Sequence, residues 1–192
     1  AERVFGKNSG LDPHELRRRA KIINYALLYG KTAFTLAKDI GVPQHAAQEF
    51  IDAYFAGFPG VRTFIDQTLE QARTSGVVRT LTGRRRLMPE LTSRNLQIRQ
   101  AAERETVNMP IQGTAADILK QAMINVAGAL ARHNAGVPIP SRMILTVHDE
   151  LLFEAPLADV PVITSLVRET MQDAFPLAVP LTVDVGAGAN WS

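Results

Sequence analysis

Along the first third of the chain, apolar residues recur at three- and four-residue intervals, and glycines and prolines separate the runs. Asp12, Pro13 and Glu15 mark a helix start: an acceptor side chain, a ring that needs no N–H, then an acid in the first turn. The spacing predicts a helix from there to about Tyr29, ended by Gly30. Thr32 to Ile40, closed by Gly41, reads as a second, shorter helix. Pro43 to about Phe55 reads as a third, with Ala46, Ala47, Phe50, Ile51 and Tyr54 on one side. Pro59-Gly60 breaks the chain, and Val61 to Thr74 gives a fourth helix stopped by Gly76. Residues 1–76 are therefore expected to form a helical subdomain. The chain opens inside an apparently helical phrase, Ala1 to Gly6, and reads as cut from something longer.

After Gly76 the period changes. Val77–Leu81 and Arg86–Met88, around Thr82-Gly83, read as a small hairpin. Thr92-Ser93 can cap a helix from Arg94 to about Val107. Pro110 removes a backbone donor and pushes Met109 towards extended geometry, so the pattern predicts a break there. A new helix is expected from about Gln112 to His133, with Ile118, Leu119, Ala122, Val126, Ala129 and Leu130 buried. Asn134–Ser141 is a loop. Met143–Val147 and Leu151–Phe153 then read as two strands flanking His148-Asp149-Glu150. A helix over Asp159–Phe175 and a last strand, Leu181–Val185, complete the pattern. The expected class is α+β: a helical subdomain, then an antiparallel sheet backed by helices over residues 77–192.

Composition narrows the field. At 192 residues with 46% apolar side chains the chain can bury a sizeable core, yet no apolar run reaches membrane-spanning length. The chain reads as opening without a signal peptide, and there is no cysteine, hence neither a disulfide framework nor a thiolate zinc site is expected. These features point to a cytoplasmic protein. The formal charge is only +2, but arginines are bunched at 17–19 and 84–86, followed by Arg94, Arg99 and Arg104. Guanidinium forks match phosphate oxygens, so this bunching matters more than the net charge.

Two stretches carry candidate chemistry. Arg17, Lys21, Tyr25 and Tyr29 are spaced by four, and each such step turns a helix about 40° past a full circle. The four form one slanting stripe, cationic at one end and aromatic at the other, which suits a nucleotide triphosphate. The competing reading is a basic amphipathic helix with both tyrosines in the core. His148-Asp149-Glu150 is the second stretch: it lacks the Asn-Gly or Asp-Gly pair of a common hairpin tip, which suggests chemistry there, the alternative being a solvated loop.

Arg17–Gly30 (R-R-R-A-K-I-I-N-Y-A-L-L-Y-G) resembles motif B of the family A DNA polymerases, the bacterial DNA polymerase I group. His148-Asp149-Glu150 resembles motif C of the same family. Ala102–Asp117 is similar to its template- and primer-contacting segment, Thr80–Arg86 to the hairpin before it, and Val185–Trp191 to its C-terminal phrase. The resemblance runs through essentially the whole chain in the right order. It implies a helical fingers subdomain over 1–76 and the C-terminal part of the palm over 77–192, an incomplete polymerase right hand.

The resemblance also implies roles. Arg17 and Lys21 would grip the phosphates of the incoming nucleotide, and Lys21 would protonate the leaving pyrophosphate. Tyr25 would pack on the sugar and base, and Tyr29 would occupy the stacking slot of the templating position. Arg104, Asn108, Gln112 and His148 would line primer–template DNA. Donors aimed at the minor-groove acceptors check pairing geometry without reading sequence. Asp149 would be a catalytic ligand of Mg²⁺, with Glu150 a more peripheral one.

The family's second aspartate belongs to a strand upstream of motif B, and residues 1–16 do not supply it. The chain is thus expected to be inactive alone, with an upstream palm and thumb segment of the same polymerase as partner, and no membrane partner. Tyr25 stands where most bacterial relatives have Phe, and Ala26 where Gly is usual. Two other readings remain: a single-subunit RNA polymerase, from which Tyr25 and Glu150 differ, and a DNA-binding module without chemistry.

Overall fold

In the computed structural model, residues 12–191 are described. The helical phrase expected at Ala1–Gly6 lies outside them. The first helix, α1 (Pro13–Leu28), begins as its residues dictate: Asp12 Oδ1 accepts from the backbone of His14 at 2.9 Å and of Glu15 at 3.1 Å. Then follow α2 (Ala33–Ile40), α3 (Gln44–Gly57) and α4 (Pro59–Ser75), with Gly41 and Gly76 in the left-handed conformation that ends α2 and α4. Ile23, Ala26, Leu27, Leu36, Ile40, Ala47, Ile51 and Tyr54 form the core of this helical part. Tyr54 Oη donates to Asn24 Oδ1 at 2.7 Å, which ties α3 to α1. Burial pushes the Tyr54 phenol pKa up.

The first hairpin joins β1 (Val77–Arg79) to β2 (Arg85–Leu87), with Val77 opposite Leu87 and Arg79 opposite Arg85. A short 3-10 turn (Pro89–Thr92) leads to α5 (Leu96–His133), which begins two residues later than expected, where Asn95 Oδ1 caps Gln97 and Ile98. The expected break at Pro110 does not occur, and α5 runs through it as one helix of 38 residues. A proline inside a helix costs about 3 kcal/mol. Here the residues around it, Thr106, Val107, Met109 and Thr114, are buried. The Thr106 hydroxyl donates to the Ala102 carbonyl and the Thr114 hydroxyl to the Pro110 carbonyl. Tertiary packing on both sides of the proline outweighs the one lost bond.

The chain forms two compact units, 1–114 and 115–192. The division falls inside α5, not at Gly76 where the sequence pattern changes period. In the second unit β3 (Arg142–Val147) and β4 (Glu150–Glu154) form an antiparallel hairpin, and α6 (Val160–Gln172) follows, ending before the expected Phe175. Val126, Leu130, Ile163 and Val167 are its core, with Met143 and Phe153 packed against them. The strand expected at Leu181–Val185 is not formed. Burial still alternates along it, but Pro180 withholds a donor at its start and no ladder pairs it. The class is α+β as expected, although the sheet component among the described residues is two separate two-stranded hairpins. No helix there is long and apolar enough to cross a membrane.

Candidate functional site

The stripe on α1 faces outward. Tyr25 is 49% and Tyr29 38% exposed, which rules out the core reading of these rings; Tyr54 takes that role. The two rings stack with centroids 6.2 Å apart and planes within 12°. Lys21 Nζ sits 5.9 Å from the centre of the Tyr25 ring, within reach of its electron-rich face. At the far end Gln112 Nε2 donates to Tyr29 Oη at 3.2 Å. Beside Tyr29, Gly30 has φ +67°, and a Cβ there would come within 2.9 Å of Arg104 Cγ. Glycine is required for both reasons. Arg104 and Gln112 of α5 are thus held against the end of α1, and Asn108, half-buried, lies one helical turn from each.

The arginine run at the start of α1 divides into two uses. Glu15 receives Arg18 Nε at 2.7 Å and Arg19 Nε at 2.6 Å. Hydrogen bonds from Arg18 and then Arg19 lower the Glu15 pKa from 4.5 to about 2. Arg17 stands outside this fork, exposed, with no ion pair among the described residues. Bunching along the chain groups the three arginines together, although the i,i+3 and i,i+4 spacing from Glu15 carries the signal that separates Arg18 and Arg19 from Arg17.

His148 and Asp149 form the two-residue tip between β3 and β4, and Glu150 is the first residue of β4, opposite Val147. All three are exposed. His148 has φ +54°, a left-handed conformation that costs a non-glycine residue roughly 1–2 kcal/mol. The register slips at Ile144, between Met143 and Leu145, a bulge of the kind that increases local twist. The adjacent carboxylates of Asp149 and Glu150 are hard oxygen donors. Mg²⁺ is commonly held by one or two carboxylates plus substrate phosphates, so this donor set fits it. No group of three or more His, Asp or Glu among the described residues could hold a metal.

One feature escaped sequence reasoning. The turn between β1 and β2 is closed by Thr80, whose N–H donates to Arg84 O at 3.0 Å and whose Oγ1 accepts from Arg84 N at 3.1 Å. This turn rests on α5: Leu81 N–H donates to Thr114 Oγ1 at 3.0 Å. A Cβ on Gly113 would lie 2.6 Å from Thr80 Cγ2. The glycine-threonine step could have signalled such a close approach.

Comparison with known proteins identifies the family. The family described as DNA polymerase family A matches residues 1–192. DNA polymerase I of Deinococcus radiodurans is 46% identical over 191 residues, covering 100% of this chain and 19% of the relative. DNA polymerase I of Mycobacterium tuberculosis is 47% identical over 191 residues, covering 100% and 21%. Among solved structures, the POL domain of Pol1 from M. smegmatis, in complex with DNA primer-template and dNTP, superposes with a TM-score of 0.86 at 46% identity. That match covers 96% of this chain and 32% of the other. The chain spans about a fifth of the length of the polymerase I relatives it matches. It belongs to DNA polymerase family A.

Proposed function

We propose that this chain is part of a template-directed DNA polymerase, in which it binds the incoming dNTP and primer–template DNA and contributes half of the nucleotidyl-transfer site. The observation that carries the reading is the exposed Lys21–Tyr25–Tyr29 ladder with Gln112 and Arg104 set at its end. The similar M. smegmatis domain, whose complex holds primer–template and dNTP, supports it. Residues 1–76 act as the fingers subdomain and residues 77–192 as the C-terminal part of the palm.

Arg17 and Lys21 neutralise the triphosphate, and Tyr25 packs on its sugar and base. Tyr29, Arg104, Asn108, Gln112 and His148 face the DNA. In the reaction the primer 3′ hydroxyl oxygen bonds to the α-phosphorus as its proton passes to solvent water, the bond from that phosphorus to the bridging oxygen breaks, and pyrophosphate leaves. Lys21 Nζ gives that leaving group a proton. Asp149 and, more peripherally, Glu150 would hold Mg²⁺, which would supply charge neutralisation for phosphoryl transfer. The second carboxylate comes from an upstream palm segment of the same polymerase. β3 has only β4 as partner among the described residues, and Ile144 and Leu145 are about half exposed on it, which suits an added strand. Without that segment the chain binds DNA but does not extend it.

The test is Asp149→Asn in the full-length polymerase. Loss of charge neutralisation worth several kcal/mol predicts a fall in extension rate on the order of a thousandfold or more. The primer–template dissociation constant should stay within about twofold. Extension near the parent rate would remove Asp149 from the site and the reading with it.

A further inference from the structure

Outside α1 and α5, a cluster of arginines sits on the β1–β2 hairpin. Arg79, Arg84 and Arg85 are exposed there. Arg86 pairs with Glu105 and, on α4, Arg73 pairs with Glu103. A three-residue strand pair is marginal by itself, so something must fix where these guanidinium groups stand. The turn is closed on itself by Thr80, as above. It meets α5 at Gly113-Thr114, directly after Gln112, and again where Arg86 of β2 pairs with Glu105 of α5.

Three facts define the attachment at Gly113-Thr114. The Thr114 hydroxyl oxygen accepts the Leu81 N–H at 3.0 Å and donates onward to the Pro110 carbonyl. The hydroxyl is thus oriented by the proline: the side chain that caps a carbonyl in the Pro110 turn also receives the hairpin. Thr80 and Thr114 are each only 6% exposed, so this bond is made away from water, where losing a partner is most costly. Third, Gly113 admits Thr80 so closely that a Cβ would overlap its methyl group at 2.6 Å. A helix-interior glycine costs about 1 kcal/mol relative to alanine, and this close approach is the reason for it.

We propose that Gly113 and Thr114 are positioning residues for DNA binding: they set the arginine-bearing β1–β2 hairpin against α5. Phosphate contacts then stand in fixed register with the amides of Asn108 and Gln112. This rests on the polymerase reading above. Neither residue touches nucleic acid in it; both act through Arg79, Arg84 and Arg85. The division of labour is the usual one in which backbone contacts fix register and groove contacts inspect the bases.

The experiment measures primer–template affinity of the full-length polymerase across a salt series. Gly113→Ala should push the hairpin away through Thr80, raise the dissociation constant about tenfold and flatten its salt dependence by about one phosphate contact. Adding Thr80→Ser to the same chain removes the offending methyl while keeping the oxygen that closes the turn. It should recover most of the affinity and slope, an outcome that general loss of structure would not give. Thr114→Val should behave like Gly113→Ala and Thr114→Ser like the parent, which provides a second route should the alanine variant be insoluble. Turnover at saturating DNA and the KM for nucleotide should not change. Unaltered affinity and slope in Gly113→Ala and Thr114→Val would overturn the proposal, as would a loss that Thr80→Ser and Thr114→Ser fail to avoid. A parent that does not bind primer–template at all would instead refute the polymerase reading.

Discussion

Lys21, Tyr25 and Tyr29 on α1 touch one another in sequence, and the last of them is bonded to Gln112. At the β3–β4 tip, no hydrogen bond or ion pair among the described residues engages the side chains of His148, Asp149 or Glu150, and all three are exposed. In the proposed reading the contrast follows from what each site would hold. A triphosphate with its sugar and base is long and flat, so a single helix can present matching groups at four-residue steps. A divalent cation needs oxygens converging from several directions, which two neighbouring residues on one hairpin cannot provide alone. In that reading one site is local and largely built, and the other would need ligands from elsewhere in the polymerase. Substitution should be graded at the first and nearly all-or-none at the second.

The largest graded effect belongs to the cations. Arg17→Ala and Lys21→Ala in the full-length polymerase should raise the nucleotide KM or lower kcat, together by about ten- to a hundredfold. This follows from about 1.5–3 kcal/mol for a hydrogen bond to a charged group. DNA affinity should move less than twofold, because neither residue faces the duplex in this reading. If DNA affinity collapsed while nucleotide kinetics held, the stripe would be a DNA surface and the contrast would lose one side.

Tyr25 sharpens the comparison within the stripe. Its phenol, about half exposed, is free to meet the sugar of a bound nucleotide. A dideoxynucleotide lacks the 3′ hydroxyl that would otherwise make a polar contact there, and the Tyr25 hydroxyl can supply one. A hydrogen bond whose absence leaves a group unsatisfied is worth roughly 1–3 kcal/mol. Tyr25→Phe should accordingly restore discrimination against dideoxynucleotides by about ten- to a hundredfold, with little change for natural substrates. The ratio of kcat/KM for a matched deoxy and dideoxy pair reads this directly. Equal discrimination in both enzymes would place Tyr25 away from the sugar.

The same contrast explains what the sequence could reveal. Spacing of four put Lys21, Tyr25 and Tyr29 on one face before any coordinates, since a helix converts sequence interval directly into direction. Asp12, Gly41 and Gly76 announced helix ends by side-chain chemistry alone. Long-range relations were invisible. Nothing local says that Gln112 bonds Tyr29, 83 residues away, or that Thr114 receives Leu81, 33 residues away. Pro110 misled because its local cost is real and only burial of Thr106, Val107 and Met109 offsets it. Leu181–Val185 kept its alternation but not its ladder, because strand formation depends on a partner that composition cannot name.

The smallest effect tests whether the Glu15 fork matters to the stripe. Its carboxylate, bonded by Arg18 and Arg19, has a folded pKa of about 2 against 4.5 for the free group. A depressed carboxylate pKa means that the fork contributes its full stabilisation above about pH 4.5. That contribution declines as pH falls and is gone below about pH 2. The fork is solvent-accessible, so its effect is modest, on the order of one degree in melting temperature. Glu15→Gln should lower the melting temperature by a constant small amount above pH 4.5, and the gap to the parent should close as pH approaches 2. A gap that persists unchanged at low pH would mean that the carboxylate charge contributes nothing. The same variant frees Arg18 and Arg19 beside Arg17. If the fork only keeps those two arginines away from the nucleotide, the nucleotide KM should shift less than about twofold. A larger fall in KM would show that Glu15 restrains phosphate binding, and that the α1 stripe is less complete than its stacked rings imply.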